Sequence, residues 1–428
     1  MTALSRPQIK VLSLSALGGI LEFYDFIIFI YFATSIGALF FPAHIPDWLR
    51  QLQTFGIFAA GYLARPVGGI IMAHFGDTRG RKRIFTFSIF LMALPTLAIG
   101  LMPTYADIGI WAPILLLTFR LMQGAAIGGE VPGAWVFVSE HVERRHVSFA
   151  CAVLTAGLTG GIFLGAIVAS LVNSFYSHTE ILSGAWRWPF ILGGVFGIVA
   201  VLLRQWLHET PVFQAMQAQL QRSEIPLRKV LREHRPAIIL TALLSWVLAA
   251  SIITMILMTP TLLQTKFHIP PKLTLEANMF ATLCLSVGCL TFGALAGKWG
   301  VGRVMLFGAL GLAASSLLLY YQLAISATYL LPLYGLNGFF VGVIALVPTI
   351  GVLSFPPEVR YSGLSFSYNI SYAVFGGLTP IFVSLLIPLS SMAPAYYVAS
   401  LAVLLLCIGI YLLMTNAPIA RVLEKAQP

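Results

Sequence analysis

Two carboxylates lie one helical turn apart within a long apolar stretch near the start of the sequence. Glu22 and Asp25 both belong to the stretch 11–41, and a spacing of three residues places them on one face of a helix. Two carboxylates in a poorly hydrated site resist simultaneous ionisation, so one of them holds a proton near neutral pH. The pair is therefore predicted to bind and release a proton, with Asp25 as the main candidate. The alternative is a structural ion pair with Arg65 or Arg120.

A second set of polar side chains falls within the apolar stretch 110–139. Arg120, Gln123 and Glu130 recur at helical spacing and lie within an arc of about 80°, so a cation, an amide and an acid face the same way. Arg120 is predicted either to bind a substrate carboxylate or to pair with Asp25 or Glu130 until a substrate displaces it. Direct pairing along the one helix is disfavoured, since ten residues span about 15 Å of rise. Glu130 joins the candidates for proton coupling.

Further candidates for a solute-binding site are spread along the chain: Tyr24, Tyr31, Arg65, Trp246, Asn337, Tyr368, Asn369 and Tyr372. Arg65 either faces the same cavity as Arg120 or stabilises its own helix. Aromatic rings one turn apart, such as Tyr368 and Tyr372, are more often helix packing than a ligand site. Beside charged helices they can also bind an ammonium group through cation–π contacts. This combination favours a small zwitterion over a di- or tricarboxylate, for which Arg65, Arg120 and Arg187 are the available cations.

The composition indicates what kind of structure must hold these side chains. Of 428 residues, 58% are hydrophobic and 9% are charged, with a mean hydropathy of +0.90, whereas a soluble domain carries roughly 25% charged residues. A soluble enzyme, a secreted disulfide scaffold and a disordered chain are excluded. Twelve apolar stretches are long enough to cross a hydrocarbon layer of about 30 Å: 11–41, 52–75, 84–102, 110–139, 147–173, 187–207, 236–264, 276–297, 304–326, 328–353, 362–389 and 393–415. The sequence therefore predicts an all-α membrane protein with twelve transmembrane helices.

The charges between these stretches predict the orientation. The chain has 25 Lys and Arg against 15 Asp and Glu, a net charge of +10. Arg187 and Arg204, at the two ends of the stretch 187–207, are counted with the loops. When the loops are assigned alternately, 19 basic residues, Arg204 among them, lie on the side of the N-terminus, four lie on the other side and two, Arg65 and Arg120, lie within the spans. This asymmetry predicts that both termini are cytoplasmic. Because it accounts for the net charge, no nucleic-acid partner is expected.

The spacing of reactive side chains favours a protein without catalytic chemistry. The histidines and the four cysteines show no metal-ligand spacing, and no nucleophile is paired with a base. We expect no enzyme activity, no metal and no cofactor. The longest polar stretch, 208–235, separates six predicted helices in 1–207 from six in 236–428. Two six-helix halves around a midplane site are a common plan of secondary transporters.

One turn resembles a known motif. Gly76-Asp77-Thr78-Arg79-Gly80-Arg81-Lys82 is similar to the cytoplasmic loop motif of the major facilitator superfamily, with Thr78 in place of an arginine. The resemblance implies that Asp77, Arg81 and Lys82 form a gate that closes the cytoplasmic side in the outward-facing state. The alternative is a basic turn that only obeys the positive-inside rule.

Several further segments resemble one branch of that superfamily, the metabolite:proton symporters, which include proline/betaine, α-ketoglutarate, citrate and shikimate transporters. The matching segments are Glu22 to Phe26, Arg65 to Gly69, Arg120 to Gly124, Gly128 to Glu130, Glu209 to Phe213, Phe355 to Gly363 and Phe375 to Gly377. Gly18-Gly19 stands where the branch has Gly-Asn, which removes a polar side chain from the expected pocket.

This resemblance implies a function as well as a fold. It implies a proton-coupled symporter in the bacterial inner membrane that imports a small polar metabolite by alternating access. The proton gradient is the driving force, and the partners are the solute, protons and the lipid bilayer. A zwitterion such as proline, betaine or another amino acid is the first expectation and a di- or tricarboxylate the second. An efflux antiporter is disfavoured, because the fifth helix lacks the Gly-Pro signature of drug/proton antiporters. We expect a monomer.

Overall fold

The computed structural model describes residues 4–217 and 226–414, and in this part of the chain it contains twelve helices long and apolar enough to cross a membrane. We number them α1 to α12: Arg6–Tyr31, Leu52–Arg79, Arg81–Leu101, Trp111–Glu140, Arg144–Phe175, Arg187–Gln205, Arg235–Thr265, Pro271–Trp299, Val301–Ile325, Leu330–Ser354, Pro357–Leu386 and Ala393–Met414. The predicted all-α fold with twelve membrane helices is confirmed.

The structure divides some of the predicted stretches. The first stretch, 11–41, contains a break at Phe32, after which a short helix, Ala33–Phe40, continues the chain. Within the polar stretch 208–235 the structure places the short helices Pro211–Gln217 and Pro226–Glu233, while residues 218–225 lie outside the described part.

Two glycines turn the chain between consecutive helices on the face where α1 begins, which we call the basic face. Gly80 joins α2 to α3 with φ of 119°, and Gly300 joins α8 to α9 with φ of 84°. A side chain would be strained at such positive φ values, and glycine is not. The single-residue turn at Gly80 places Arg81 at the start of α3, next to the end of α2.

The close approach of α2 and α4 depends on missing side chains. A Cβ atom at Gly124 would overlap the carbonyl oxygen of Gly61, and one at Gly128 would overlap that of Arg65. Small residues allow membrane helices to pack backbone against backbone. This packing fixes Arg65, on α2, beside α4, which carries Arg120.

Candidate functional site

Arg65 lies at mid-helix in α2, surrounded by aromatic rings instead of acids. Its guanidinium carbon is 4.1 Å from the ring centre of Tyr372, 5.3 Å from that of Tyr368 and 5.6 Å from that of Tyr62. Its Nε donates to Oδ1 of Asn369 at 3.4 Å. The Nη2 atom is buried without a hydrogen-bond partner. The ring faces stabilise the cation, and its free donor remains available to a ligand.

Arg120 on α4 is held in the same manner. The ring centres of Phe29, Phe26 and Phe58 lie 4.4, 4.6 and 4.9 Å from its guanidinium carbon. Nη1 donates to Oε1 of Gln123 at 2.8 Å, whereas Nε and Nη2 are buried without a partner. Both Arg65 and Arg120 are at most 1% exposed.

Tyr62 connects the two arginines. Its ring stacks on that of Tyr372 at 6.1 Å with an interplanar angle of 2°, and it meets Phe26 edge-on at 5.4 Å. Arg65 lies against one end of this row of rings and Arg120 against the other. We call Arg65, Arg120 and the aromatic rings around them the central cluster.

The charge of the central cluster determines what it can bind. Among the residues that the structure describes, no carboxylate forms an ion pair with Arg65 or Arg120. The predicted alternatives that pair these arginines with Glu22, Asp25 or Glu130 are therefore wrong for this state. Buried cations with unused donors attract an anionic group strongly, since guanidinium–carboxylate bonds are short and directional. The surrounding ring faces can accommodate an alkylated ammonium.

Asp25 on α1 is a buried acid without a basic partner in the described part of the chain. It is 1% exposed, and neither carboxylate oxygen has a hydrogen-bond partner. The carboxylate faces α6, where Gly193 leaves space for it, since a Cβ atom there would overlap Oδ1. Burial of an unpaired charge in a membrane is costly, so this geometry favours the neutral, protonated acid.

Glu22 and Glu130 instead meet Arg204, from the last turn of α6. Nη2 of Arg204 lies 2.5 Å from Oε1 of Glu130 and 3.7 Å from Oε2 of Glu22. Ser88 on α3 donates to the other oxygen of Glu130, and Phe85 packs its ring against the guanidinium. We call Glu22, Glu130 and Arg204 the charged triad.

Two predicted site residues are bonded within the N-terminal six helices. The hydroxyl of Tyr24 donates to the carbonyl of Pro189 at 2.8 Å, which accounts for its burial without a ligand. Gln123 accepts from Arg120 and donates to Oγ1 of Thr96 at 2.7 Å. Gln123 therefore positions Arg120 and is itself held by Thr96 in this state.

Three other predicted site residues are not among the side chains of the central cluster. Trp246 donates to the hydroxyl of Tyr397 at 3.0 Å, and Asn337 donates to Oγ of Ser316 at 2.9 Å. Both bonds join helices within the C-terminal six. Tyr31 is half-buried and packs against the hydrophobic core. By contrast, the structure brings the predicted Tyr368, Asn369 and Tyr372 to Arg65.

Charged side chains also join the two sets of six helices at the basic face. Nη1 of Arg81 lies 2.7 Å from Asp77, and Nε lies 3.5 Å from Glu140. Glu140 pairs in turn with Arg360 of α11 at 3.0 Å, and Asp77 accepts from the backbone N–H of Ser362 at 2.8 Å. We call Asp77, Arg81, Glu140 and Arg360 the latch, because it holds α11 against α2 and α4.

Lys82, the third predicted gate residue, does not bridge the two sets of helices. Its ammonium group is 3.4 Å from the carbonyl oxygen of Gln205 on α6, and its backbone N–H donates to Glu209. Glu209 thereby caps the first turn of α3, where unpaired N–H groups favour a carboxylate.

One face of α11 makes a seam with α4 above the latch. The hydroxyl of Tyr361 donates to the carbonyl of Gly129 at 2.6 Å, and Nδ2 of Asn369 donates to that of Gly128 at 2.7 Å. Ser365, between them on the same face, reaches the Gly128 carbonyl at 3.4 Å. The seam thus runs from the basic face to Arg65, the bonding partner of Asn369.

Two features of the site were missed from the sequence. Tyr62 lies three residues before Arg65, so the helical spacing could have identified it as a neighbour of the cation. Arg204 was assigned to the basic loops, where it added to the topology count, but it is 1% exposed and pairs with buried acids. Arg187, a candidate substrate cation, donates instead to the carbonyls of Gly100 and Met102.

Comparison with known proteins identifies the class. The putative proline/betaine transporter of Staphylococcus aureus strain COL is 33% identical over 404 residues, covering 92% of this chain and 86% of the relative. The glycine betaine/proline/ectoine/pipecolic acid transporter OusA of Dickeya dadantii is 30% identical over 433 residues, covering 96% and 84%. The solved structure of the proton:xylose symporter XylE has the same fold, with a TM-score of 0.79 at 14% identity and coverage of 94% and 95%.

Fold and relatives together define a multi-pass membrane transporter of small solutes. A match to the Major Facilitator Superfamily covers residues 26–366. The chain belongs to this superfamily, and its relatives place it in the metabolite:proton symporter branch that its sequence motifs resemble.

Proposed function

We propose that the protein is a proton-coupled symporter that imports a small zwitterion such as proline or betaine. The observation that carries the proposal is the central cluster, in which two buried arginines have donors without partners and are surrounded by aromatic faces. An arginine binds the carboxylate of the solute, and the rings of Tyr62 and Tyr372 contact its alkylated ammonium. The names of the relatives support this class of solute.

The orientation belongs to the same proposal. We place the basic face in the cytoplasm of a bacterial inner membrane, because basic loop residues are retained on that side. The N-terminus then lies in the cytoplasm. The predicted cytoplasmic C-terminus lies outside the described residues. The protein works as a monomer on the proton gradient, without a cofactor or enzymatic step.

Asp25 carries the coupled proton in this proposal. A carboxylate without a basic partner stays neutral while buried and ionises when water reaches it. Alternating access exposes such a group to each side in turn.

A second candidate solute is a di- or tricarboxylate. It is favoured by the two guanidinium groups of the central cluster, with which no acid in the described part of the chain forms an ion pair. Two cations match two carboxylates in charge. The ring faces around both arginines favour the zwitterion, because a dicarboxylate carries no ammonium group for them to contact.

Uptake into proteoliposomes tests both candidates. With an inward proton gradient, we expect accumulation of radiolabelled proline or glycine betaine above the level reached without the gradient. Accumulation of α-ketoglutarate or citrate alone would select the second candidate. Accumulation of none of these solutes at any gradient would overturn the proposal.

Asp25→Asn tests the proton carrier. The amide cannot ionise, so gradient-driven accumulation should be abolished while exchange of internal for external solute continues. Asp107→Asn is the matched control, since Asp107 is an exposed acid bonded to Thr104 in the loop before α4. Equal loss of accumulation and exchange in the Asp25 variant would argue against this role.

A further inference from the structure

The charged triad lies apart from the solute-binding contacts and carries an imbalance of charge. Glu22, Glu130 and Arg204 are each at most 2% exposed. Two carboxylates and one guanidinium leave one negative charge when all three are ionised. An uncompensated charge at this depth is costly, and one bound proton removes it. The packed arrangement therefore corresponds to a triad that holds one proton.

The triad is displaced from Asp25 toward the basic face. Arg204 follows Gly197, a neighbour of Asp25, by seven residues, which corresponds to about 10 Å along α6. Five other residues face the triad: Asp25 on α1, Met72 on α2, Phe85 and Ser88 on α3, and Tyr361 on α11. Asp77 and Arg81 lie on the far side of Tyr361.

Tyr361 separates the triad from the basic face. Tyr361 belongs to α11, and its hydroxyl donates to the carbonyl of Gly129 on α4, the residue before Glu130. Its ring also fills the space that Gly76 and Gly133 leave by lacking side chains. When α11 moves away from α4 to open the basic face, Tyr361 withdraws and water gains access to Glu130.

We propose that Glu22, Glu130 and Arg204 form a proton-binding site, separate from Asp25, which exchanges its proton with the cytoplasm when Tyr361 withdraws. This inference rests on the proposed function, which assigns the basic face to the cytoplasm. Because hydration stabilises the ionised triad, the open state binds this proton more weakly than the closed state. By linkage, the open-to-closed ratio rises with pH, by up to about tenfold per pH unit for one proton.

Distance measurement between spin labels tests the site directly. Arg144 and His234 line opposite walls of the cleft between the two sets of helices on the basic face. The exposed residues before them, Glu143 and Glu233, carry the labels, and the distance between the labels reports opening of this face. The background carries serine in place of Cys151, Cys284, Cys289 and Cys407. We expect the long-distance fraction to rise from acidic to alkaline buffer.

Glu130→Gln and Glu22→Gln should each lower this pH slope by the share of one proton, because the remaining acid and Arg204 neutralise each other without a proton and only Asp25 still titrates. If the Glu130 variant fails to fold, Glu22→Gln provides the same test. Glu22 makes the longer contact with Arg204, so its replacement disturbs the packing less. An unchanged pH slope in a folded variant would overturn the site.

Asp25→Asn separates this inference from the proposed function. It should retain a pH-dependent distance change through the triad while losing gradient-driven accumulation. Loss of the distance change in Asp25→Asn, with an unchanged pH slope in Glu130→Gln, would assign the proton to Asp25 alone and overturn the triad site. Absence of gradient-driven uptake in the wild type, with the pH-dependent opening intact, would overturn the proposed symport and leave the triad site standing.

Discussion

Each arginine of the central cluster is stabilised by several weak contacts and keeps donors for a ligand. The planar guanidinium of Arg120 lies against three phenylalanine rings while Gln123 holds one of its nitrogens. A lysine would keep the charge but lose both the flat contact with the rings and the forked donor geometry. The difference between the two cations therefore tests the proposal that Arg120 binds the carboxylate of the solute.

Arg120→Lys should raise the KM for solute uptake roughly 10- to 100-fold, because bonds to a charged group contribute about 1.5–3 kcal/mol. Initial uptake rates over a range of solute concentrations measure it. Arg187→Lys is the matched control, because Arg187 donates to the Gly100 and Met102 carbonyls and packs on the ring of Trp186, so this variant should keep its KM. An unchanged KM in Arg120→Lys would remove Arg120 from the solute site.

Arg204→Gln tests the pairing in the charged triad by stability. Removing the cation leaves Glu22 and Glu130 buried without their partner, and breaking a buried ion pair costs about 3–5 kcal/mol. Thermal unfolding in detergent should show a clear fall in Tm, and the double variant with Glu130→Gln should recover most of it. Additive losses in the double variant would contradict the pairing.

The sequence predicted the candidates at the residue scale better than it predicted their partners. Arg65 and Arg120 were recognisable because charges within apolar stretches are rare, and Tyr368, Asn369 and Tyr372 because they follow one another on a helix face. Which acid meets which base depends on helix packing across the bundle. The alternatives for Arg120 therefore stayed open until the structure excluded Asp25 and Glu130 as its partners in this state.

At the scale of helices, the absence of side chains between α2 and α4 determines where the arginines lie. Gly124 and Gly128 contact the backbone of Gly61 and Arg65 directly. Their four-residue spacing is typical of close helix packing, although the partner helix cannot be predicted from it. Any added carbon atom separates the helices and displaces Arg65 from Asn369.

Gly124→Ala should therefore lower stability by about 1–3 kcal/mol, the usual cost of overpacking. Gly56→Ala on α2 is the control, since a Cβ atom there meets nothing within 4 Å and alanine favours the helix by up to about 1 kcal/mol. Thermal unfolding compares the two variants. A Tm for Gly124→Ala equal to or above that of Gly56→Ala would show that α2 and α4 do not depend on this contact.

The helices themselves were predictable because hydropathy alone separates a membrane span from a loop. The structure confirms twelve such spans, and their ends lie within five residues of the predicted ones, except that the first span ends at Tyr31 and not at residue 41. Arg204 shows the limit of this approach, since a basic residue at a span end looks like an orientation signal. Only packing between α1, α4 and α6 shows that it faces inward.

At the scale of the molecule, the latch closes the basic face through side chains from both sets of helices. Glu140 contributes from α4 and Arg360 from α11, so their ion pair exists only while these helices are together. The sequence predicted Asp77 and Arg81 at this position. It did not predict Glu140 or Arg360, which lie far from the motif along the chain.

Arg360→Gln should raise the open-to-closed ratio at the basic face on the order of tenfold, as expected for losing a hydrogen bond to a charged group. The distance between spin labels at Glu143 and Glu233 measures the ratio at fixed pH. Arg303→Gln removes an exposed basic residue from the same face and should leave the distances unchanged. Equal distance distributions in both variants would show that the latch does not hold the face closed.

The seam between α11 and α4 also sets the energy scale of the cycle. The bonds of Tyr361 to Gly129, of Asn369 to Gly128 and of Arg65 to Asn369 contribute about 1 kcal/mol each. Together they amount to on the order of half the 5.5 kcal/mol that turns a population from 99% in one state to 99% in the other. A solute that draws Arg65 away from Asn369 therefore removes about 1 kcal/mol from the closed state, which raises the open-to-closed ratio about fivefold.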